Sequence, residues 1–359
     1  MHRLFAVVSI LFLGLQTPPE NRAHAQGSTQ EQYNIISHSL MKLPANVQFS
    51  VALVENGKVT FIEAKREKDT VVILQNRDRV FEIGSISKVF TSTLLAESVL
   101  QGRVSLDKNF DEGLGVNIKD NTRISFRQLA NHTSGLPRLP TNLILFAVDP
   151  ANPYRDYDET KLREYLSTQL KVAQEPGTKY EYSNLAVGLL GYVLSKIEMK
   201  SYEELLQQRI VKKYEMRNST TERSKVENKL VKGVGVDGKE VSNWDLGVLV
   251  GAGGILSTAE DLSKFAVAQF DESNKVLALT REKTFDVNET MAIGLGWHIL
   301  KRDGGEVFNH NGGTGGYRSS MSIDIKNKRS VIVLSNLTAF HSESKSIDTV
   351  CGDLLKTLK

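Results

Sequence analysis

The sequence predicts a mixed α/β (α+β) fold, with one antiparallel sheet assembled from both ends of the chain and a helical insertion between them. Apolar residues alternate at 47–64 and again along 295–334, the period-two pattern of strands. Between them, roughly residues 103–250, apolar residues recur at helical spacing in several segments. No internal repeat or low-complexity tract breaks this order. With 359 residues, 40% hydrophobic and 24% charged, the chain has ample material for a core. A net charge of +3 gives no basic patch, so nucleic acid is not expected as a partner.

Residues 1–25 read as a secretory signal peptide: Arg3, an apolar run over 4–15, Pro18-Pro19, then Ala23-His24-Ala25 as the cleavage site. The run is short for a membrane span, and no cysteine follows it to take a lipid, so no membrane anchor is expected. The mature domain is expected over residues 26–359, extracytoplasmic (a bacterial periplasm), and monomeric. Its single cysteine, Cys351, leaves no internal disulfide.

Residues 26–43 are polar and weakly periodic, a lead-in helix. Two strands follow around Asn56-Gly57, a strong hairpin signal, and short strand-like pieces stand at 71–74 and 80–83. Residues 85–100 read as one helix ending near Gln101, with Gly102 as its left-handed cap. Ser125 with Gln128, and Ser201 with Glu204, form capping boxes that open helices. Residues 160–171, 183–196 and 201–214 have helical spacing, whereas the proline-rich stretch 136–153 is irregular. Gly233–Gly238 matches G-x-G-x-x-G, but no helix pattern follows, and Asp237-Gly238 reads as a turn between short strands. Gly251 to Gly254 form a tight stretch before a helix over 258–269. Strands at 295–300, 306–309, 318–325 and 330–334 make a meander, and a helix over 347–358 closes the chain.

Three clusters carry chemistry. Ser85 and Lys88 lie three residues apart at a helix start, so hydroxyl and amine share one face. A lysine whose pKa is lowered by burial can take a serine's proton, and the free N–H groups of a helix start favour a developing oxyanion. Ser-x-x-Lys occurs four times in this chain, so the motif alone decides nothing. Tyr182-Ser183-Asn184 stands at the mouth of a helix. There Ser183 fits an N-cap, Tyr182 can exchange protons if neighbouring lysines lower its pKa, and Asn184 can hold an amide. The third cluster, His310-Asn311-Gly312-Gly313-Thr314-Gly315-Gly316-Tyr317, is a glycine-rich run where a strand is expected. Such a run suits a ligand lying close to backbone. There is no G-x-S-x-G elbow and no H-E-x-x-H, and the seven histidines are scattered, so neither metal nor cofactor is expected.

FEIGSISK (81–88), YSN (182–184) and HNGGTGGY (310–317), in this order, resemble the three active-site boxes of serine β-lactamases of class C type and the related D-Ala-D-Ala peptidases and family VIII-like esterases. LANHTSGLP (129–137) and GAGGILSTAEDLSKF (251–265) are similar to the same family. The resemblance covers about Val47 to Leu337. It implies a β-lactamase/transpeptidase-like fold, an antiparallel sheet with flanking helices beside an all-helical lobe. It implies Ser85 as acyl-forming nucleophile, Lys88 as proton partner and Tyr182 as general base, without deciding which of the last two takes the first proton. Asn184, His310, Gly312 and Gly313 would bind substrate, with the N–H groups of Ser85 and Gly313 as oxyanion hole. The implied substrate is a small β-lactam, or a D-amino-acid peptide or ester. A penicillin-binding sensor that acylates without turnover is the non-catalytic alternative. His310 stands where typical class C enzymes carry lysine, a departure that weakens the expectation of efficient lactam hydrolysis.

Overall fold

The structure, a computed structural model, describes residues 27–112 and 114–359. The expected signal peptide lies outside the described residues. Helix α1 (Gln30–Leu40) opens on a capping box between Thr29 and Gln32. Strands β1 (Gln48–Glu55), β2 (Lys58–Glu67) and β3 (Thr70–Ile73) follow, and Asn56 and Gly57 both take positive φ in the β1–β2 turn. Two-residue β4 (Phe81–Glu82) leads through a 3₁₀ turn at Gly84–Ile86 into α2 (Ser87–Leu100). Gly102 has φ +71°, as its cap position requires.

The middle of the chain is helical but more broken than its periodicity predicts. It holds α3 (Phe126–Ala130), α4 (Glu159–Glu164), α5 (Asn184–Glu198) and α6 (Tyr202–Leu206). The capping boxes at Ser125 and Ser201 are both formed. Helices α4 and α6 pass into π turns at Tyr165–Gln169 and Gln207–Val211, so the helices expected to 171 and 214 stop short of regular α geometry. The pair β5 (Gly233–Val234) and β6 (Glu240–Val241) encloses the Asp237-Gly238 turn. Then come β7 (Leu256–Ser257), α7 (Ala259–Ala268) and α8 (Lys275–Arg281). The last segment holds β8 (Phe285–Asn288), β9 (Met291–Ile293), β10 (His298–Arg302), β11 (Gly305–Gly313), β12 (Arg318–Asp324), β13 (Arg329–Ser335) and α9 (Ser346–Lys356). Sequence patterning missed α8, β8 and β9, all of them short.

The main sheet runs β3-β2-β1-β13-β12-β11-β10-β9-β8, and every pair in it is antiparallel. The two termini therefore share one sheet, with β1 registered against β13 from Phe49↔Ser335 to Glu55↔Arg329. Both faces of these central strands are covered. Phe49, Val51, Val331 and Val333 face a core with α1 and α9, while Ala52, Val54, Ile332 and Leu334 face the larger core that includes α2, α5 and α7. That burial on both faces accounts for the unbroken apolar runs Val51–Val54 and Val331–Leu334, where strict alternation was expected. Strand β11 crosses its full length into the glycine run, and its end packs against the turn that precedes α2.

Candidate active site

Ser85 sits in the 3₁₀ turn rather than in α2 itself. In 3₁₀ geometry residues i and i+3 eclipse, so the pairing with Lys88 survives the change. The Lys88 Nζ lies 2.9 Å from Ser85 Oγ and donates to the Ala252 carbonyl at 2.6 Å. Lys88 is fully buried and has no carboxylate within ion-pair distance among the described residues. Burial holds its amine well below the usual lysine range, and the charge of Arg138 pushes the same way. The Gly251-Ala252 stretch that receives it is tied to α2 by Thr91, which donates to the Gly251 carbonyl at 2.6 Å.

Tyr182 and Asn184 are placed by α5. Ser183 caps this helix by accepting from Ala186 N at 2.9 Å, so the serine of the motif does structural work while its neighbours face the cleft. Tyr182 packs between aromatic and cationic neighbours. The His132 ring is 4.5 Å away, Lys88 Nζ is 4.9 Å from the ring centre and the Arg138 guanidinium 5.1 Å. The sequence suggested that nearby lysines would depress the phenol. Burial instead raises it above the ordinary tyrosine value, only partly offset by a hydrogen bond with Ser85 and by the charge of Arg138. Tyr182 is therefore a neutral phenol at neutral pH.

The third cluster reaches Ser85 through backbone. A Cβ added at Gly312 would stand 2.0 Å from the Ile83 carbonyl and 2.8 Å from Ser85 N, and one at Gly84 would stand 2.5 Å from Gly313 N. Only glycine permits this approach of β11 to the Ser85 turn. Ser319 of β12 closes the junction, donating to the Ile83 carbonyl at 2.8 Å.

A cavity of about 620 Å³ brings Ser85, Tyr182, Asn184, Gly312 and Gly313 together. His310 is not in its wall. It is buried behind Tyr182, with ring centres 6.4 Å apart, and burial holds its imidazole well below its ordinary value. It is a neutral neighbour of the phenol, not a charged group facing substrate. Sequence reasoning missed three residues here. His298, at the start of β10, lines the cavity, pairs with the Tyr180 hydroxyl at 2.9 Å and is lowered to about 4 by burial. His132 was quoted only as part of a family-like segment, and its burial also holds it neutral. Arg138 lines the cavity six residues further on, with no local pattern to mark it. The Glu82 carboxyl, its pKa raised by burial, accepts from Trp244 N and Asn243 and fixes the loop that carries Trp244.

A family model described as Beta-lactamase matches residues 43–350. The chain belongs to the Beta-lactamase family. Among its relatives, D-alanyl-D-alanine-carboxypeptidase/endopeptidase AmpH of Escherichia coli K12 is 28% identical over 302 residues, covering 77% of each protein. Protein flp of Staphylococcus aureus MW2 is 23% identical over 333 residues, covering 87% of this chain and 64% of its own length. A β-lactamase/D-alanine carboxypeptidase structure from Pseudomonas syringae superposes with TM-score 0.76 at 19% identity, covering 91% of this chain and 99% of that one. A class C β-lactamase in complex with cefoxitin gives 0.75 at 21%, covering 91% and 98%. These structures share the β-lactamase fold, the antiparallel sheet and helices expected from sequence. No helix among the described residues is long and apolar enough to cross a membrane.

Proposed function

We propose that this Beta-lactamase family member is a secreted serine hydrolase that forms an acyl-enzyme on Ser85, with the β-lactam amide as the bond it opens. The observation that carries this reading is the 2.9 Å contact between Ser85 Oγ and the amine of a buried lysine without a counter-ion. Lys88, whose amine burial holds well below the usual lysine range, takes the Ser85 proton as Oγ attacks the carbonyl carbon. The N–H groups of Ser85 and Gly313 then stabilise the oxyanion. As the C–N bond breaks, the proton passes from Lys88 through the Tyr182 phenol to the leaving nitrogen. A neutral phenol can donate one proton while accepting another, so Tyr182 is a relay and Lys88 the first base. Water attacks the ester with the same pair accepting its proton, and Asn184 holds the amide of the acyl side chain.

A second reading, D-Ala-D-Ala carboxypeptidase, is favoured by the neutral His310 and by the similarity to AmpH. One experiment separates them. The protein is mixed with a chromogenic cephalosporin while absorbance and intact mass are followed together. Sustained turnover supports the lactamase reading. A single stable adduct moves the assignment to a peptidase or a sensor, and D-Ala-D-Ala peptides and simple esters follow. Ser85→Ala is expected to lower turnover of any such substrate by about three orders of magnitude or more. Full turnover in that variant would remove Ser85 from the chemistry altogether.

A further inference from the structure

We infer that Arg138 is the anion-binding side chain of this cavity, the residue that sets its preference for a ligand bearing a carboxylate. The inference takes from the proposed function only that this cavity is where substrate binds.

Among the described residues the cavity wall contains two arginines, Arg138 and Arg318, and no aspartate or glutamate. Arg318 is already engaged, since its guanidinium pairs with the Asp348 carboxylate on α9. Arg138 is exposed to the cleft and has no carboxylate within ion-pair distance among the described residues. The other nitrogen bases around Tyr182 bring no fixed charge. His132, His298 and His310 are all held neutral by burial, and Lys88 is held well below its usual range. Among the described residues of the wall, Arg138 is thus the one with an uncompensated, permanent positive charge.

Its backbone is anchored at the catalytic motif. The Arg138 carbonyl accepts from Asn184 N at 3.0 Å and Leu185 N at 3.1 Å, taking up free N–H groups at the start of α5. Ser183 Oγ donates to the adjoining Pro137 carbonyl at 2.7 Å. Pro137 and Pro140 bracket the residue and restrict its backbone. The guanidinium then lies 5.1 Å from the Tyr182 ring centre, stacked rather than hydrogen-bonded, which leaves its N–H fork free. The same space is lined by apolar and aromatic side chains, Leu139, Leu145, Tyr154, Trp244 and Phe340. A cavity with one free cation and an aromatic wall selects a ligand with one anion and an apolar body.

The test separates binding from turnover. In the full chain carrying Ser85→Ala, calorimetry measures N-acetyl-D-alanyl-D-alanine against its C-terminal methyl ester, two ligands that differ in the carboxylate. The acid is expected to bind about tenfold tighter or more. Adding Arg138→Gln should abolish that advantage, and Arg138→Lys should retain most of it, which also reports that the fold is intact. Equal affinities for acid and ester, or an advantage that survives Arg138→Gln and disappears in Arg318→Gln, would overturn the inference. The acyl-enzyme reading fails on a different result, the absence of any Ser85 adduct with penicillin or a neutral fluorophosphonate in the unaltered protein.

Discussion

Lys88 is the residue at which function and stability oppose each other most directly. Taking an amine out of water without a carboxylate disfavours its charged form, and in the proposed mechanism that lets it act as a base. The unfolded chain keeps its lysine proton to about pH 10.4. Between the lowered folded value and that limit, the unfolded state binds more protons than the folded one. The Lys88 contribution to stability therefore improves as pH rises through this window and worsens as pH falls. Lys88→Met is expected to abolish turnover and stabilise the fold by about 0.5–2 kcal/mol at pH 7, with a smaller gain at pH 9. Urea unfolding of both proteins at the two pH values measures this, and an equal gain at both would mean that burial does not lower the amine's pKa. The closeness of Ser85 and Lys88 was legible from their spacing of three residues at the start of a helical pattern. The state of Tyr182 was not, because the groups that desolvate it come from distant parts of the chain.

At the scale of elements, β11 acts through the side chains it lacks. Gly312 and Gly313 let its backbone touch the Ser85 turn, where a methyl group at Gly312 would collide with the Ile83 carbonyl. Those atoms are backbone and have no rotamer by which to yield. Gly312→Ala is expected to destabilise the protein by about 1–3 kcal/mol and to slow acylation of Ser85 sharply. Gly352 in α9 has open space at its Cβ position, so Gly352→Ala should be neutral or stabilising by up to about 1 kcal/mol. Thermal melts with a burst assay for acylation would compare the two. Similar losses in both would mean that the tight approach at Gly312 is not what glycine serves there. The capping boxes, the Ser183 cap and the Asn56-Gly57 turn were readable because each is settled by a few adjacent residues. The short elements α8, β8 and β9 carry too few residues for a period to show.

The whole molecule gathers three histidines from separate segments around Tyr182: His132 after α3, His298 on β10 and His310 on β11. His298 and His310 have ring centres 5.0 Å apart, and His298 stacks 6.5 Å from Tyr182. Their folded pKa values lie below the unfolded value of about 6.5. The stability they contribute is present above that pH and is lost as pH falls toward about 4 for His298. Glu63, raised to about 7, and Glu82 oppose this, since their folded forms hold protons that the unfolded chain has released. Ring-nitrogen NMR titration isolates the histidines from that opposition. His298 is expected to titrate near pH 4, with His132 and His310 still neutral at pH 6. A titration of His298 near 6.5 would contradict its desolvation. Protonation of any of the three would put a second cation beside Lys88 and disfavour the charge that Lys88 must accept.

The sequence by itself determined the local matters: the helix caps at Ser125, Ser183 and Ser201, the Asn56-Gly57 turn, and that Ser85 and Lys88 share a face. It also carried the family, through three boxes whose order and content are specific even at low overall identity. Tertiary structure alone decided the protonation states, the withdrawal of His310 from the cavity wall and the exposure of Arg138 within it. Caps and periodicities depend on residues within one or two turns of each other. Desolvation and charge depend on whatever distant segment covers a group, and a chain read in order does not display that.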